Sequence, residues 1–180
     1  MSWPPRAVTV ARVQAIDITL NWRWAPVLVL GTWLLARNVL PARFPEWELS
    51  VTWITSISAV LAGEAALLLH ELSHAIVARC YGQRVTRIVF HGFLAETIVG
   101  EGPPAPSQVV LIALVGPAMN LALVGLAEVL RLAINSQGPL DVFLLTLVVG
   151  NAAAAAMSLL PLGSSDGARA LRAYGISSRS

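Results

Sequence analysis

Charged side chains are scarce in this sequence of 180 residues, because only 12% of them are Asp, Glu, Lys or Arg while 56% are hydrophobic. A soluble globular domain carries about 25% charged residues. Together with a mean hydropathy of +0.70, this composition excludes an ordinary soluble domain and predicts an integral membrane protein. The length suits a single domain covering residues 1–180.

Lysine is absent, and all twelve basic residues are arginines scattered along the chain. Such a distribution excludes the massed basic surface of a nucleic-acid-binding protein, so we expect no nucleic-acid partner. A single cysteine, Cys80, excludes an intrachain disulfide. The N-terminal stretch also lacks an apolar core long enough for a cleavable signal peptide, so we expect the first spanning helix to anchor the chain in the lipid bilayer.

Four long apolar segments predict transmembrane helices. They cover residues 25–40, 51–78, 107–134 and 139–160. The first is short, and Pro41 is expected to end it. Alternating residues in 13–24 and 85–91 predict two strands that pair with each other. The predicted fold is therefore an all-α polytopic membrane protein with four transmembrane helices and a small β-element at the cytoplasmic membrane surface.

A metal-binding pattern lies near the end of the second apolar segment, where two of the three histidines stand four residues apart. On a helix, His70 and His74 share one face, so both imidazoles can bind one ion. Glu71 is then a carboxylate beside the metal, as in zinc hydrolases. Two core histidines are the alternative, which the cost of three ionisable side chains in an apolar run disfavours.

The distribution of arginine bears on the third ligand. Nine of the twelve arginines lie inside if both termini are cytoplasmic, which the positive-inside rule favours. The second and fourth spans then end on the same side, which brings Asp166 towards the histidines and excludes Asp141. His91 and Glu96 lie on that side too, so the residues alone favour Asp166 only modestly and leave both rivals open.

Two further polar side chains lie inside the predicted spans. Asn120 follows Gly116-Pro117, where the proline removes a backbone donor and kinks the helix. It is either a functional residue or a hydrogen-bonding residue between helices. Glu64 is either a second intramembrane carboxylate or, as we favour, a protonated side chain bonded to a neighbouring helix.

Together these motifs resemble the site-2 protease family of intramembrane zinc metalloproteases, specifically its short bacterial and archaeal members without a PDZ domain. The match covers residues 18–33, His70-Glu71-Leu72-Ser73-His74, Ala78-Arg79, Gly82, Gly116-Pro117-x-x-Asn120, Leu159-Leu160-Pro161 and Asp166-Gly167. The resemblance implies one zinc ion per chain, held by His70, His74 and Asp166. It also implies that Glu71 is the catalytic base and acid, and that Asn120 contacts the substrate or transition state.

The sequence departs from the family pattern at three places. Ser158 replaces a usual asparagine, Ser164-Ser165 replaces a usual proline-leucine pair, and Gly92-Phe93 replaces a glycine pair. The departures concern substrate handling rather than the metal ligands. The later spans and CBS domains of some relatives are also missing, so we expect a regulatory membrane partner.

The resemblance implies hydrolysis of peptide bonds in or near transmembrane segments of membrane-protein substrates, in the plasma membrane of a prokaryote. A catalytically silent membrane scaffold of the same fold and a metal transporter are the alternatives. An intact Glu71 argues against the scaffold, which needs no base. A transporter would carry ionisable residues along its whole pore, whereas here they gather at one end of the spans.

The arginine distribution generates a topology prediction. A reporter that is active only outside the cytoplasm should be active when fused after Arg43 or after Asn135, because these positions follow the first and third spans. The same reporter fused after Arg84 should be silent. Cytoplasmic behaviour of either of the first two fusions would contradict four spans with cytoplasmic termini.

Overall fold

The computed structural model describes residues 7–91, 95–99, 105–135 and 137–175. Four of its helices are long and apolar enough to cross a membrane: α1 (Trp24–Arg43), α2 (Leu49–Cys80), α3 (Pro106–Ile134) and α4 (Pro139–Leu159). A short helix, α5 (Asp166–Ala173), follows α4. Four strands complete the fold: β1 (Ala7–Val13), β2 (Ile16–Asn21), β3 (Val85–Phe90) and β4 (Ala95–Val99). The predicted fold class, four membrane helices with a small β-element, is confirmed.

Helix α1 continues past the residue that was expected to end it. A π-helical turn, Leu35–Val39, precedes Pro41, which then lies in the first turn of the α-helical segment Leu40–Arg43. The wider π-helical turn relieves the clash that the proline ring would otherwise make with a carbonyl of the preceding turn. The prediction that Pro41 closes the helix is therefore wrong, and α1 reaches 20 residues.

The strands form one sheet in the order β1-β2-β3-β4. The two predicted strands contain β2 and β3, which pair in parallel, while β1 and β4 add antiparallel partners on either side. The first predicted strand is too long, because α1 already begins at Trp24. The unpredicted β1 reaches β2 through Gln14 and Ala15, which both have positive φ. These residues lack the Asn-Gly signature of such a turn.

The sheet packs against the C-terminal end of α2. Buried isoleucines of β2 and β3 meet two fully buried alanines of α2, and the cluster comprises Ile16, Ile18, Ala75, Ala78, Val85, Ile88, Phe90 and Ile112. The small alanine side chains allow the sheet to lie close to the helix. Arg79 adds polar contacts, because its guanidinium donates to Gln14 O and, at 2.8 Å, to Val85 O. The end of α2 is thereby fixed to the sheet.

Polar contacts also join the spans to one another. The indole Nε1–H of Trp24 donates to Glu64 Oε2 at 3.0 Å, which gives Glu64 the predicted partner on a neighbouring helix. At the opposite ends of α3 and α4, Arg131 donates to Asp141 at 2.9 Å and to Glu128 at 2.8 Å. Asp141 thus forms an ion pair with Arg131 at the end of the bundle away from the sheet, where the sequence predicted it.

Candidate metal centre

Two imidazoles face each other on the last turns of α2. The helix runs without interruption through His70 and His74, both buried, and the two Nε2 atoms are 3.1 Å apart. An unbroken helix is needed here, because only regular geometry brings side chains four residues apart onto one face. The spacing in the sequence therefore translates directly into a pair of nitrogen ligands.

Asp166 approaches the imidazole pair from the beginning of α5. Ser165 caps this helix, since its Oγ accepts a hydrogen bond from Ala168 N at 3.2 Å. The next residue, Asp166, then projects its Oδ2 to 3.3 Å from His70 Nε2 and 3.4 Å from His74 Nε2. Asp166 therefore belongs to the first turn of α5.

The other candidates for a third ligand differ in position. His91 follows β3 and takes no part in the His70, Glu71 and His74 cluster that is found among the described residues. The side chain of Glu96 lies outside the described part of the chain. Cys80 is exposed at the end of α2. Among the side chains that the structure describes, Asp166 is the candidate whose carboxylate lies beside the two histidines.

The three ligand atoms form a triangle that fits a zinc ion. From the three separations of 3.1, 3.3 and 3.4 Å, the point equidistant from all three atoms lies about 1.9 Å from each. Zinc bonds to nitrogen and oxygen are about 2.0–2.2 Å long. A carboxylate binds zinc in its charged form, and an aspartate side chain ordinarily carries that charge at neutral pH.

A backbone carbonyl of α3 orients one imidazole. His74 Nδ1 lies 2.6 Å from Ile112 O. A carbonyl can only accept, so Nδ1 carries the proton and Nε2 keeps its lone pair for the metal. Pro117 lacks the N–H that would bond the neighbouring carbonyl of Ala113, so one backbone hydrogen bond of the helix is missing at this turn. In the described part of the chain, His70 Nδ1 is the one buried side-chain polar atom without a hydrogen-bond partner.

Two glycines allow the elements of the site to approach. A Cβ atom on Gly116 would lie 2.3 Å from His74 Nε2 and 2.6 Å from His70 Nε2. A Cβ atom on Gly167 would lie 2.0 Å from Leu159 O. Non-bonded atoms pack at about 3.5 Å or more, so no side chain fits at either position. The Gly-Pro and Asp-Gly motifs therefore bring α3 and α5 into direct contact with the site.

Glu71 and Asn120 complete the set of predicted residues. Glu71 is buried, and its ligand atom lies within 4.8 Å of those of both histidines. Its Oε2 accepts a hydrogen bond from the Thr97 hydroxyl at 2.7 Å, a contact that the sequence did not reveal. Asn120 is buried on α3, one helical turn beyond Gly116 and on the same face.

Arg169 contacts the remaining oxygen of the aspartate. Its Nη1 is 3.7 Å from Asp166 Oδ1, while Oδ2 faces the histidines. The pair is partly exposed to solvent, so the contribution of this contact to stability is small. Its position three residues after Asp166 on α5 follows from helical spacing.

The side chains brought together here are of the types that bind zinc in proteins. Two neutral imidazoles and one carboxylate are a common set of three protein ligands, and such a set leaves one coordination position open. A fourth ionisable group, Glu71, stands beside it and can exchange protons there. The donor set therefore fits zinc.

Comparison with known proteins agrees with this chemistry, although no family model matches the chain. The chain is 30% identical over 171 residues to "Putative zinc metalloprotease Rip3" of Mycobacterium tuberculosis, a match that covers 93% of this chain and 43% of that protein. It is 29% identical over 167 residues to "Putative zinc metalloprotease sll0528" of Synechocystis sp., covering 92% and 43%. The chain thus spans less than half the length of the curated relatives it matches.

A solved structure provides the fold comparison. The Site-2 Protease from Methanocaldococcus jannaschii superposes with a TM-score of 0.62 at 20% identity, covering 93% of this chain and 71% of that one. The chain is thus similar to putative zinc metalloproteases and has the fold of a site-2 protease. These relatives and this fold confirm the predicted resemblance to the site-2 protease family.

The ligand geometry predicts which variants lose zinc. Asp166→Ala removes one corner of the triangle, so purified protein should retain much less zinc than the wild type when measured by atomic emission. His91→Ala and Glu96→Ala should keep about one zinc ion per chain. Loss of zinc from the Glu96 variant together with retention in the Asp166 variant would reverse the assignment.

Because α3 lies so close to the two imidazoles, a larger residue at position 116 should weaken zinc binding. Gly116→Ala should displace the imidazoles and lower zinc affinity by about tenfold or more, because the added methyl group overlaps both Nε2 atoms. Gly125→Ala on the same helix is the matched control, since a Cβ atom there meets nothing within 4 Å. Competition with a zinc chelator measures both variants, and equal affinities would refute the contact.

Proposed function

We propose that this chain is an intramembrane zinc metalloprotease that hydrolyses peptide bonds in or near transmembrane segments of membrane-protein substrates. The observation that carries the proposal is the Glu71 carboxylate beside a triangle of zinc-type ligands, two of which lie on a helix long and apolar enough to span a membrane. A buried group of ionisable residues at that depth is costly, and proteins retain such groups for function.

Each residue has a separate role in the proposed reaction. His70, His74 and Asp166 hold one zinc ion per chain. Zinc in such a site acidifies a water molecule and polarises a carbonyl group. Glu71 takes the proton from the attacking water and passes it to the leaving amine. Asn120 contacts the substrate or the transition state from the same face of α3 as Gly116.

A transmembrane substrate must unwind before it is cleaved, because a helix hides its carbonyl groups in its own hydrogen bonds. The sheet offers a surface for the unwound segment, and β4 is its terminal strand among the described residues. An extended segment can add to such an edge through backbone hydrogen bonds. Strand addition at β4 would bring a substrate next to Glu71, which Thr97 of that strand contacts.

The proposed location is the plasma membrane of a prokaryote with both termini cytoplasmic. This orientation follows from the arginine distribution and places the sheet, α5 and the metal centre towards the cytoplasm. A membrane-protein substrate and the lipid bilayer are the expected partners, together with a regulatory membrane partner. Nucleic acid is not among them.

Substitution of Glu71, the proposed general base, tests the proposal most directly. Glu71→Gln keeps the size of the side chain but cannot accept a proton, so cleavage of a model transmembrane substrate should fall by about 10²-fold or more while zinc remains bound. Glu64→Gln, the same substitution seven residues earlier on α2, is the matched control and should cleave normally. A scaffold or a transporter would be indifferent to Glu71→Gln in every cellular assay, and this result would replace the protease proposal.

A further inference from the structure

A hydroxyl group from the sheet holds the carboxylate of Glu71. Thr97 Oγ1 lies 2.7 Å from Glu71 Oε2 and 3.3 Å from the backbone oxygen of the same residue. A threonine hydroxyl has one proton to donate, and the shorter contact to a charged acceptor is the stronger hydrogen bond. Thr97 is partly buried, so water competes only weakly for this bond.

The register of the sheet fixes where Thr97 points. Thr97 lies opposite Ile88 on β3, and Ile88 lies beside Ile18 on β2. Residues paired across neighbouring strands share one face of a sheet. Ile18 and Ile88 are buried in the cluster that packs on α2. Thr97 therefore continues a row of isoleucines on the face turned to α2, where valine would fit as well in shape.

A hydroxyl in this apolar row needs a partner, and the catalytic base supplies it. Burying a polar group without a hydrogen bond is costly, which disfavours threonine at this point of the row unless its hydroxyl is bonded. The bond also restricts Glu71, whose side chain has three rotatable bonds. With Oε2 held by Thr97, the other carboxylate oxygen is the one available for proton transfer.

We propose that Thr97 is a positioning residue for Glu71: its hydroxyl fixes the carboxylate beside the metal centre and so links the geometry of the sheet to the proton-transfer step. The proposal rests on the proposed protease function. Thr97 touches Glu71 rather than the substrate or the metal, so its removal should affect the rate of the chemical step more than substrate binding or zinc content.

Thr97→Val removes the hydroxyl and keeps the shape of the side chain. We expect kcat for a model transmembrane substrate to fall by about 10- to 100-fold, as for other groups that orient a catalytic side chain, with KM and zinc content unchanged. Thr97→Ser retains the hydroxyl and should restore most of the rate. Wild-type kcat in Thr97→Val would overturn the proposal.

Thr19→Val provides the matched control. Thr19 is also a sheet threonine with a bonded hydroxyl, which donates to Ile88 O at 3.1 Å without contacting Glu71. This variant should lose thermal stability and keep its kcat. An equal loss of kcat in Thr19→Val and Thr97→Val would mean that the sheet matters only as a support, and would overturn the specific role of Thr97.

A double-mutant cycle separates this proposal from the protease proposal. A hydroxamate binds zinc and shares a proton with a neighbouring carboxylate, so its affinity depends on Glu71 without requiring turnover. Thr97→Val should weaken hydroxamate binding when Glu71 is present and have no further effect in Glu71→Gln. Additive effects would overturn the role of Thr97 even in an active protease. Non-additive effects in a zinc-loaded protein that cleaves no transmembrane substrate would refute the protease function alone.

Discussion

The contact between the backbone of α3 and the two imidazoles of α2 is the constraint on which the site depends. It requires glycine at position 116, because any Cβ atom would overlap His70 and His74. It also lets Ile112 O reach His74 Nδ1 and fix the ring. Close helix approach in membranes generally relies on small residues. Here the small residue gives room to two buried imidazoles rather than merely to a neighbouring backbone.

Buried polar side chains are generally paired with other groups of the protein. Three elements around α2 each supply one group that contacts a polar side chain of the site. The helix α3 provides a carbonyl to His74, α5 provides Asp166 to both histidines, and β4 provides Thr97 to Glu71. The surface sheet is therefore part of the site and not only a connection between spans.

The sequence was sufficient for those features that depend on local periodicity. Apolar length predicted the four spans, and the four-residue spacing predicted the meeting of His70 and His74. Pairing of β2 with β3 also followed from alternation. Contacts between distant segments were harder to predict. The residues alone left Asp166, His91 and Glu96 as possible third ligands, because topology gives the side of a membrane and not a distance. Only the family resemblance favoured Asp166 clearly.

Other features carried no usable signal. Thr97 lies on a short strand beside a stretch rich in glycine and proline, where the pattern predicts a loop. The hairpin that creates β1 uses Gln14 and Ala15 at positive φ, which few residues other than glycine and asparagine adopt. The π-helical turn before Pro41 extended α1 beyond its expected end, because a local rule for proline does not anticipate a preceding change of helical type.

Cys80, an exposed thiol at the end of α2, is a native attachment site for a spectroscopic label. Cys80 is six residues beyond His74 on a continuous helix, a rise of about 9 Å along the axis. A nitroxide or fluorophore attached there lies within range of a paramagnetic ion such as Co²⁺ placed in the metal centre. Relaxation or quenching would then report metal occupancy in the unmutated chain, with no competing cysteine to be removed.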